Sequence, residues 1–137
     1  MALSLISHEP AGYRCPLCGI QRGVYDEHNQ PSDIVGGNTL AYARISPTWW
    51  PGNPGAALVI PKAHHENLYD LPDVVGHAVW DLTRNVATAM RAAYPCEGIS
   101  TRQHNEPAGN QDVWDLHVHV FPRHRDDDLY VRNREGR

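Results

Sequence analysis

The chain has 137 residues, of which 41% are hydrophobic and 20% charged, and its formal net charge is −4 at pH 7. This length and composition predict one soluble domain with a core of its own. The acidic balance argues against a nucleic-acid partner, because such a protein needs a basic face. No apolar run is long enough to span a bilayer, and the first ten residues lack the pattern of a secretory signal, so we expect a cytoplasmic protein without a membrane partner.

The first half of the chain predicts a cysteine knuckle followed by three strands. Cys15 and Cys18 stand in the sequence CPLC, and three cysteines in all are too few for a disulfide framework. Residues 33–46 predict two strands that turn at Gly36-Gly37-Asn38, a combination typical of hairpins. A loop with three prolines follows, and the apolar residues 56–62 predict a further strand that ends at Pro61.

The second half predicts one long helix and then two strands. Pro72 suits a first helical turn, and Pro95 ends a segment in which apolar residues recur at helical spacing: Val75, Val79, Leu82, Val86, Ala89 and Ala93. Strands are predicted over residues 98–105 and 112–124. The core then covers about residues 13–124 of a single domain, with a charged tail over residues 125–137. This order of elements predicts an α+β fold with an antiparallel sheet.

The last predicted strand carries histidines on one face. Side chains alternate along a strand, so His117 and His119 share a face with Asp115, and the opposite face suits burial beneath the helix through four apolar residues: Trp114, Leu116, Val118 and Val120. A His-x-His pair alone is equally typical of a metal site or of polar residues on a half-exposed strand. The Gly-Asn turn before the pair and Arg123 after it favour an anionic ligand.

Two blocks of this sequence resemble a known family. Residues 103–123, QHNEPAGNQDVWDLHVHVFPR, resemble the signature of the histidine triad (HIT) superfamily of nucleotide hydrolases and transferases, and residues 54–72, PGAALVIPKAHHENLYDLP, resemble its second block. The resemblance implies a HIT-like fold of about five antiparallel strands and one long helix, with the sheets of two copies paired in a homodimer. It also implies an enzyme that hydrolyses or transfers nucleotides at phosphorus anhydride or phosphoramidate bonds, as phosphoramidases and dinucleoside polyphosphate hydrolases do, with no cofactor required for catalysis.

The resemblance also assigns roles to individual residues. His117 takes the place of the nucleophile, which attacks the α-phosphorus and forms a covalent nucleotidyl-histidine intermediate. His119 and Gln111 take the places of residues that contact phosphate oxygens. Asn105 stands where the family often has a polar residue near the phosphates or the leaving group, and a loop-capping role is an equal alternative for it.

The departures from the family pattern concern a metal site. The first histidine of the triad is Asp115 here. In the Cys-x-x-Cys branch that histidine binds zinc with both cysteines and a fourth histidine, and Ala56 stands in the place of the fourth. Because tetrahedral zinc takes four ligands, Cys15 and Cys18 with Asp115 as a third ligand would form at best a weak structural zinc site, which His8 or His28 could complete. The alternative, which we favour slightly, is a knuckle or an occasional disulfide without metal.

The nucleoside site also departs from the pattern. Arg44 stands where the family has an acidic or amide residue, and a guanidinium cannot accept hydrogen bonds from the ribose. Trp49 and Trp50 either stack on a base, pack their loop or form a subunit contact.

Three functions therefore remain, and we favour the first, the nucleotidyl hydrolase or transferase. The second is a nucleotide-binding relative with little turnover. The third is a small metalloprotein whose ligands are His117, His119 and His104.

Overall fold

A computed structural model describes residues 6–129, which form one sheet and two α-helices. The sheet has five antiparallel strands in the order β1-β2-β3-β5-β4. The strands are β1 (Ile34–Gly37), β2 (Ala41–Ile45), β3 (Ala57–Pro61), β4 (Gly98–Gln103) and β5 (Val118–Arg123), and the helices are α1 (Pro16–Gln21) and α2 (Asp73–Ala93). The predicted α+β fold is thereby confirmed. Within residues 6–129, no helix has the length and apolar character needed to cross a membrane.

Helix α2 covers one face of the sheet. Val75, Val79 and Leu82 are buried against the central strands, as the apolar stripe predicts. Toward the end of the helix the prediction is wrong, because Met90 reaches the core whereas Ala89 and Ala93 are exposed. These two alanines border an open groove beside Gly36 and Gly37 of β1. The glycines have no side chains that could cover the alanines.

The knuckle helix α1 packs on the opposite face of the sheet. Leu17 and Ile20 are buried there in a second apolar cluster, against three residues of β2 and β3: Tyr42, Leu58 and Ile60. The Tyr42 hydroxyl donates a hydrogen bond of 2.7 Å to the Leu17 carbonyl. Cys15 caps the helix, since its sulfur accepts the Cys18 N–H at 3.3 Å. The two cysteines are thus fixed against the face that α2 leaves open.

The strand predicted over residues 112–124 is shorter in the structure. Residues 112–117 run irregularly beside residues 64–67, because the Leu116 N–H donates to the His65 carbonyl at 2.6 Å and Gln111 donates to the Glu66 carbonyl at 2.6 Å. Trp114 is consequently half-buried beside His8 and lies outside the core, contrary to prediction. From Val118 onward the predicted alternation holds.

The first residues of the predicted charged tail fold back onto the domain, and residues 130–137 lie outside the described part. Asp127 accepts five hydrogen bonds: from Arg123 Nε and Nη2 (2.8 and 2.9 Å), from the backbone N–H groups of His124 and Leu129 (2.9 and 3.2 Å) and from Asn53 Nδ2 (2.7 Å). Leu129 is buried with Ala56, Phe121 and Trp50. The loop between β2 and β3 is therefore tied to the segment after β5.

Candidate functional site

The hydrogen bond of His117 defines the proton on its ring. His117 is buried, and its Nδ1 lies 2.8 Å from the backbone carbonyl oxygen of Asp115. A carbonyl oxygen can only accept, so Nδ1 carries the proton. In the neutral ring Nε2 then has a lone pair, which is the state that a nucleophilic imidazole requires.

His119 lies beside His117 on the face opposite α2. The two ring centroids are 4.9 Å apart, and the His119 ring stacks on Phe121 at 5.5 Å with an interplanar angle of 4°. Burial, together with the nearby charges of His117, His104 and Arg102, lowers the pKa of His119 to about 3. His119 is therefore a neutral ring near pH 7, able to donate one hydrogen bond to a phosphate oxygen.

An open cleft of about 610 Å³ lies over His119. One wall is the loop after β2, which contributes Trp49 and Trp50. The other wall carries polar residues from β4 and the following turn: Arg102, His104, Asn110 and Asp112. A cleft of this size, with cationic and aromatic groups around an imidazole, can hold a phosphorylated organic molecule.

Gln111 and Asn105 occupy the turn beside this cleft. The Gln111 amide donates to two backbone carbonyls and accepts from the Glu106 N–H at 2.9 Å. The Asn105 side-chain oxygen accepts the Leu68 N–H at 2.8 Å, and its amide is paired with that of Gln103. Both side chains hold the turn to residues 66–68, whereas His117 and His119 are brought together. The phosphate contacts of Gln111 and Asn105 stay predictions.

His104 is a cleft residue whose role the sequence analysis missed, since it was considered only as a metal ligand. Its ring centroid lies 5.6 Å from that of His119. The pairing of the last two strands could have indicated this position. If β4 pairs with β5, the end of β4 at His104 lies beside His117 and His119.

Four side chains form a cluster suited to one metal ion. The ligand atoms of Cys15, Cys18, His64 and Asp115 all lie within 4.8 Å of one another. Asp115 Oδ2 is 3.1 Å from Cys15 Sγ, 3.5 Å from Cys18 Sγ and 3.4 Å from His64 Nδ1. Among residues 6–129 this is the one such group, and it contains neither His104, His117 nor His119. The metalloprotein alternative therefore gains no support.

The fourth member of the cluster is His64, which was not among the predicted ligands. It lies in the IPKAHH segment after β3. Ala56, which stands where the family pattern has the fourth histidine, is buried with Phe121 and Leu129. His8 and His28 are not in the cluster, and their Nε2 atoms lie 3.2 Å from the carboxylates of Glu106 and Glu27. Cys15, Cys18 and Asp115 are thus brought together with one further candidate ligand.

The chemistry of the cluster fits zinc. Two sulfurs, one imidazole nitrogen and one carboxylate oxygen are zinc donors in the number that a tetrahedral site takes. Burial raises the pKa of Asp115, and burial together with the Asp115 charge raises the pKa values of Cys15 and Cys18. The surrounding groups therefore do not stabilise the negatively charged forms of these three side chains. Asp115 Oδ1 is buried without a hydrogen-bond partner among residues 6–129. A cation would stabilise this set, and Glu9 at 2.5 Å from His64 Nε2 would orient the imidazole.

Arg44 has a structural role in this fold. Its side chain is 0% exposed, and its guanidinium donates to the carbonyls of Ile45 (2.7 Å) and His28 (2.9 Å) and to the Asn29 side chain. Arg44 thereby ties residues 28–33 to β2. The position where the family pattern has a ribose acceptor thus carries a buried cation that is engaged within the protein.

The HIT domain family model matches residues 27–126. The chain is 32% identical over 117 residues to Protein hit of Bacillus subtilis, which covers 80% of this chain and 71% of that one. It is 31% identical over 85 residues to the adenosine 5'-monophosphoramidase of Saccharomyces cerevisiae, covering 62% of this chain and 49% of that one. Among solved structures, a Zn-bound histidine triad family protein from Mycobacterium smegmatis superposes with a TM-score of 0.71 at 25% identity, over 84% of this chain and 78% of that one.

Proposed function

The chain belongs to the HIT domain family, and on this premise we propose that it is a nucleotidyl hydrolase or transferase in which His117 is the nucleophile. In the first step Nε2 of His117 forms a bond to the α-phosphorus, the bond to the leaving group breaks, and the leaving group takes its electron pair. In the second step water or another acceptor attacks the same phosphorus, and the electron pair of the P–N bond returns to Nε2.

The observation that carries this proposal is the hydrogen bond from His117 Nδ1 to the Asp115 carbonyl. It holds the ring in the tautomer whose Nε2 is basic, and it stabilises the positive charge that the ring gains when Nε2 bonds to phosphorus.

The phosphate is proposed to lie over His119, with Arg102 at the wall of the cleft. Trp49 and Trp50 supply aromatic surface for the base or the leaving group. The similarity to an adenosine 5'-monophosphoramidase supports phosphoramidates as the first substrates to test.

The second candidate is a nucleotide-binding relative with little turnover. The buried Arg44 favours it, because the usual acceptor for the ribose hydroxyls is missing at that position. The nucleoside would then be held by other contacts, in a position that does not favour attack on the phosphorus. Turnover assays distinguish this candidate from the first.

We further propose that Cys15, Cys18, His64 and Asp115 hold a structural zinc ion and that catalysis itself needs no cofactor. The ion would supply the positive charge that the two thiols and the buried carboxylate require, and a zinc-bound family member supports the assignment. The four residues come from α1, the segment after β3 and the segment before β5, so the cluster joins three parts of the chain.

A homodimer is proposed at the β4 side of the sheet. β4 is an edge strand. Leu68 and Trp80, which line a groove with Thr101 and Gln103 of β4, are 52% and 63% exposed. Pairing of two β4 edges would satisfy the free backbone groups and bury these apolar side chains.

The test compares wild type with His117→Asn on adenosine 5'-monophosphoramidate and a dinucleoside polyphosphate. We expect the variant to lose turnover by at least about a thousandfold while it still binds nucleoside monophosphate, because only the attacking nitrogen is removed. His77→Asn, an exposed histidine of α2, is the control. Rapid quench and peptide mass spectrometry should find a nucleotidyl adduct on His117. Undiminished activity in His117→Asn would refute the mechanism, and an inert wild type that binds nucleotide would favour the binding relative.

A further inference from the structure

We propose that His104 is a second catalytic histidine, the general acid that protonates the leaving group and then the general base for the incoming water. The inference rests on the proposed function, because it assigns the proton that the two-step transfer requires. The nucleophile cannot supply this proton, since the one N–H of the neutral His117 ring is bonded to the Asp115 carbonyl.

The strand register places His104 at the reacting centre. β4 and β5 pair with Arg102 opposite His119 and Gln103 opposite Val118. His104 follows directly, at the end of β4. Its ring lines the same cleft as His119, with the centroids 5.6 Å apart. A group on the phosphorus that leaves into the cleft would pass between these rings and the tryptophan loop.

The His104 ring is oriented by the turn that follows it. The Asn110 backbone raises the pKa of His104, as a nearby acceptor does. The Asn110 N–H donates to the Pro107 carbonyl, so the Asn110 group that acts on the ring is its carbonyl oxygen. The ring itself lines the open cleft, where it can exchange a proton with a bound molecule, as a general acid or base requires.

The surrounding charges suit a proton that is taken up and released. Burial, Arg102 and His117 lower the pKa of His104, whereas the Asn110 carbonyl and Asp112 raise it; His119, which is neutral, adds no charge. A bound phosphate brings negative charge into the cleft and raises the His104 pKa again. The ring would then be protonated when substrate is bound.

His119 is unsuited to this role. Burial and the neighbouring charges lower its pKa to about 3, and its ring is stacked on Phe121. Near pH 7 the His119 ring therefore carries only its single N–H.

The proton balance then closes over the two steps. As Nε2 of His117 bonds to the phosphorus, the P–X bond breaks, and its electron pair on X takes the proton of the His104 imidazolium. Neutral His104 next accepts a proton from water as the water oxygen bonds to phosphorus. The P–N bond breaks toward Nε2, and both histidines return to their starting states.

The test uses two substrates that differ in their need for a proton. The amine of an adenosine 5'-phosphoramidate must be protonated to leave, whereas the nitrophenolate of adenosine 5'-(4-nitrophenyl phosphate) leaves as an anion. The measured quantity is the single-turnover rate of leaving-group release, because the later attack of water is common to both substrates. We expect His104→Asn to lower this rate on the phosphoramidate by about a hundredfold, within the usual range for acid–base catalysis, and on the nitrophenyl ester by about fivefold or less. His77→Asn serves as the control, and thermal melts check that both variants fold.

The pH profile gives a second readout. With wild type, the single-turnover rate of amine release from the phosphoramidate should fall as His104 loses its proton at higher pH, and His104→Asn should lack that limb. Equal losses of the leaving-group release rate on both substrates, or no loss on either, would overturn the inference and leave the proposed function standing. A wild type that turns over neither substrate would overturn the proposed function and this inference together.

Discussion

Asp127→Asn is the sharpest test of how the cleft loop is held. Asp127 is the acceptor that joins the segment after β5 to the loop carrying Trp49 and Trp50. Its side chain is 2% exposed. Asparagine has nearly the same shape, but it removes the charge and turns one acceptor oxygen into a donor.

The expected cost follows from the hydrogen bonds of the two oxygens. Oδ2 accepts from Arg123 Nε, the His124 N–H and Asn53 Nδ2, and Oδ1 accepts from Arg123 Nη2 and the Leu129 N–H. Whichever oxygen becomes NH2, at least two hydrogen bonds are lost and donors face donors. Removing one partner from a buried, hydrogen-bonded charge pair costs about 3 kcal/mol or more of unfolding free energy. For a domain of this size the melting temperature should fall by roughly 10 °C.

The pH dependence has a defined sign. Hydrogen bonds from Arg123 lower the pKa of Asp127 below its usual 3.8. A carboxyl whose pKa is lowered in the folded state stabilises fully above its unfolded pKa, and this stabilisation is lost as the pH falls toward the folded value. The difference in stability between wild type and Asp127→Asn should therefore be constant from about pH 7 to pH 5 and shrink below about pH 4.

Urea unfolding followed by tryptophan fluorescence measures the difference. Asp128→Asn is the matched control, because it removes the same charge one residue away at an exposed position with φ 58°, which asparagine tolerates. Asp127→Asn should also show a raised KM, since the tryptophan loop loses the hydrogen bond that holds it to Asp127. A stability within about 1 kcal/mol of the Asp128→Asn control would refute the reasoning.

Three further predictions concern other parts of the fold. Elemental analysis should find one zinc per chain, and Cys15→Ser should lower that content and the melting temperature; a wild type free of zinc after chelator-free purification contradicts the site. Trp80→Asp should shift the light-scattering mass from a dimer toward the 15.4 kDa monomer, and a wild type that is already monomeric contradicts the interface. Gly55→Ala should cost about 2 kcal/mol, because φ there is +93° and the added Cβ would overlap the Tyr94 ring; Gly98→Ala, which meets open space, should cost less, and equal losses would contradict this reading.

The sequence predicted the fold well because its periodic signals are strong. The stripe from Val75 to Leu82 and the alternation from Val118 to Val120 each report which face is buried, and both are found. The beginning of the histidine strand was not predictable in this way. Residues 112–117 keep the alternating pattern, yet hydrogen bonds from Gln111 and Leu116 hold this segment to residues 65 and 66. A local pattern does not encode these contacts, because the partners are distant in the sequence.

The candidate site was predicted in part for the same reason. His117 and His119 are local to one strand, so their proximity follows from sequence spacing. His64 and His104 lie within the two blocks that resemble the family, but they reach their sites through the pairing of distant segments, which spacing along one strand does not reveal. Arg44 is the reverse case. Its place in the sequence suggested a contact with the ribose of the ligand, whereas its burial and its hydrogen bonds to acceptors within the protein give it a structural role.

Asp115 contributes to two sites through two different parts of the same residue. Its carboxylate belongs to the metal cluster, and its backbone carbonyl holds the proton of His117. A carbonyl is present in every amino acid, so this contact with His117 does not depend on the side-chain type at position 115. An aspartate in place of the first histidine of the triad therefore leaves the hydrogen bond to the proposed nucleophile intact and changes only the ligand atom that this position offers to the candidate metal cluster. The loss of that histidine is thus compatible with the reaction proposed for His117.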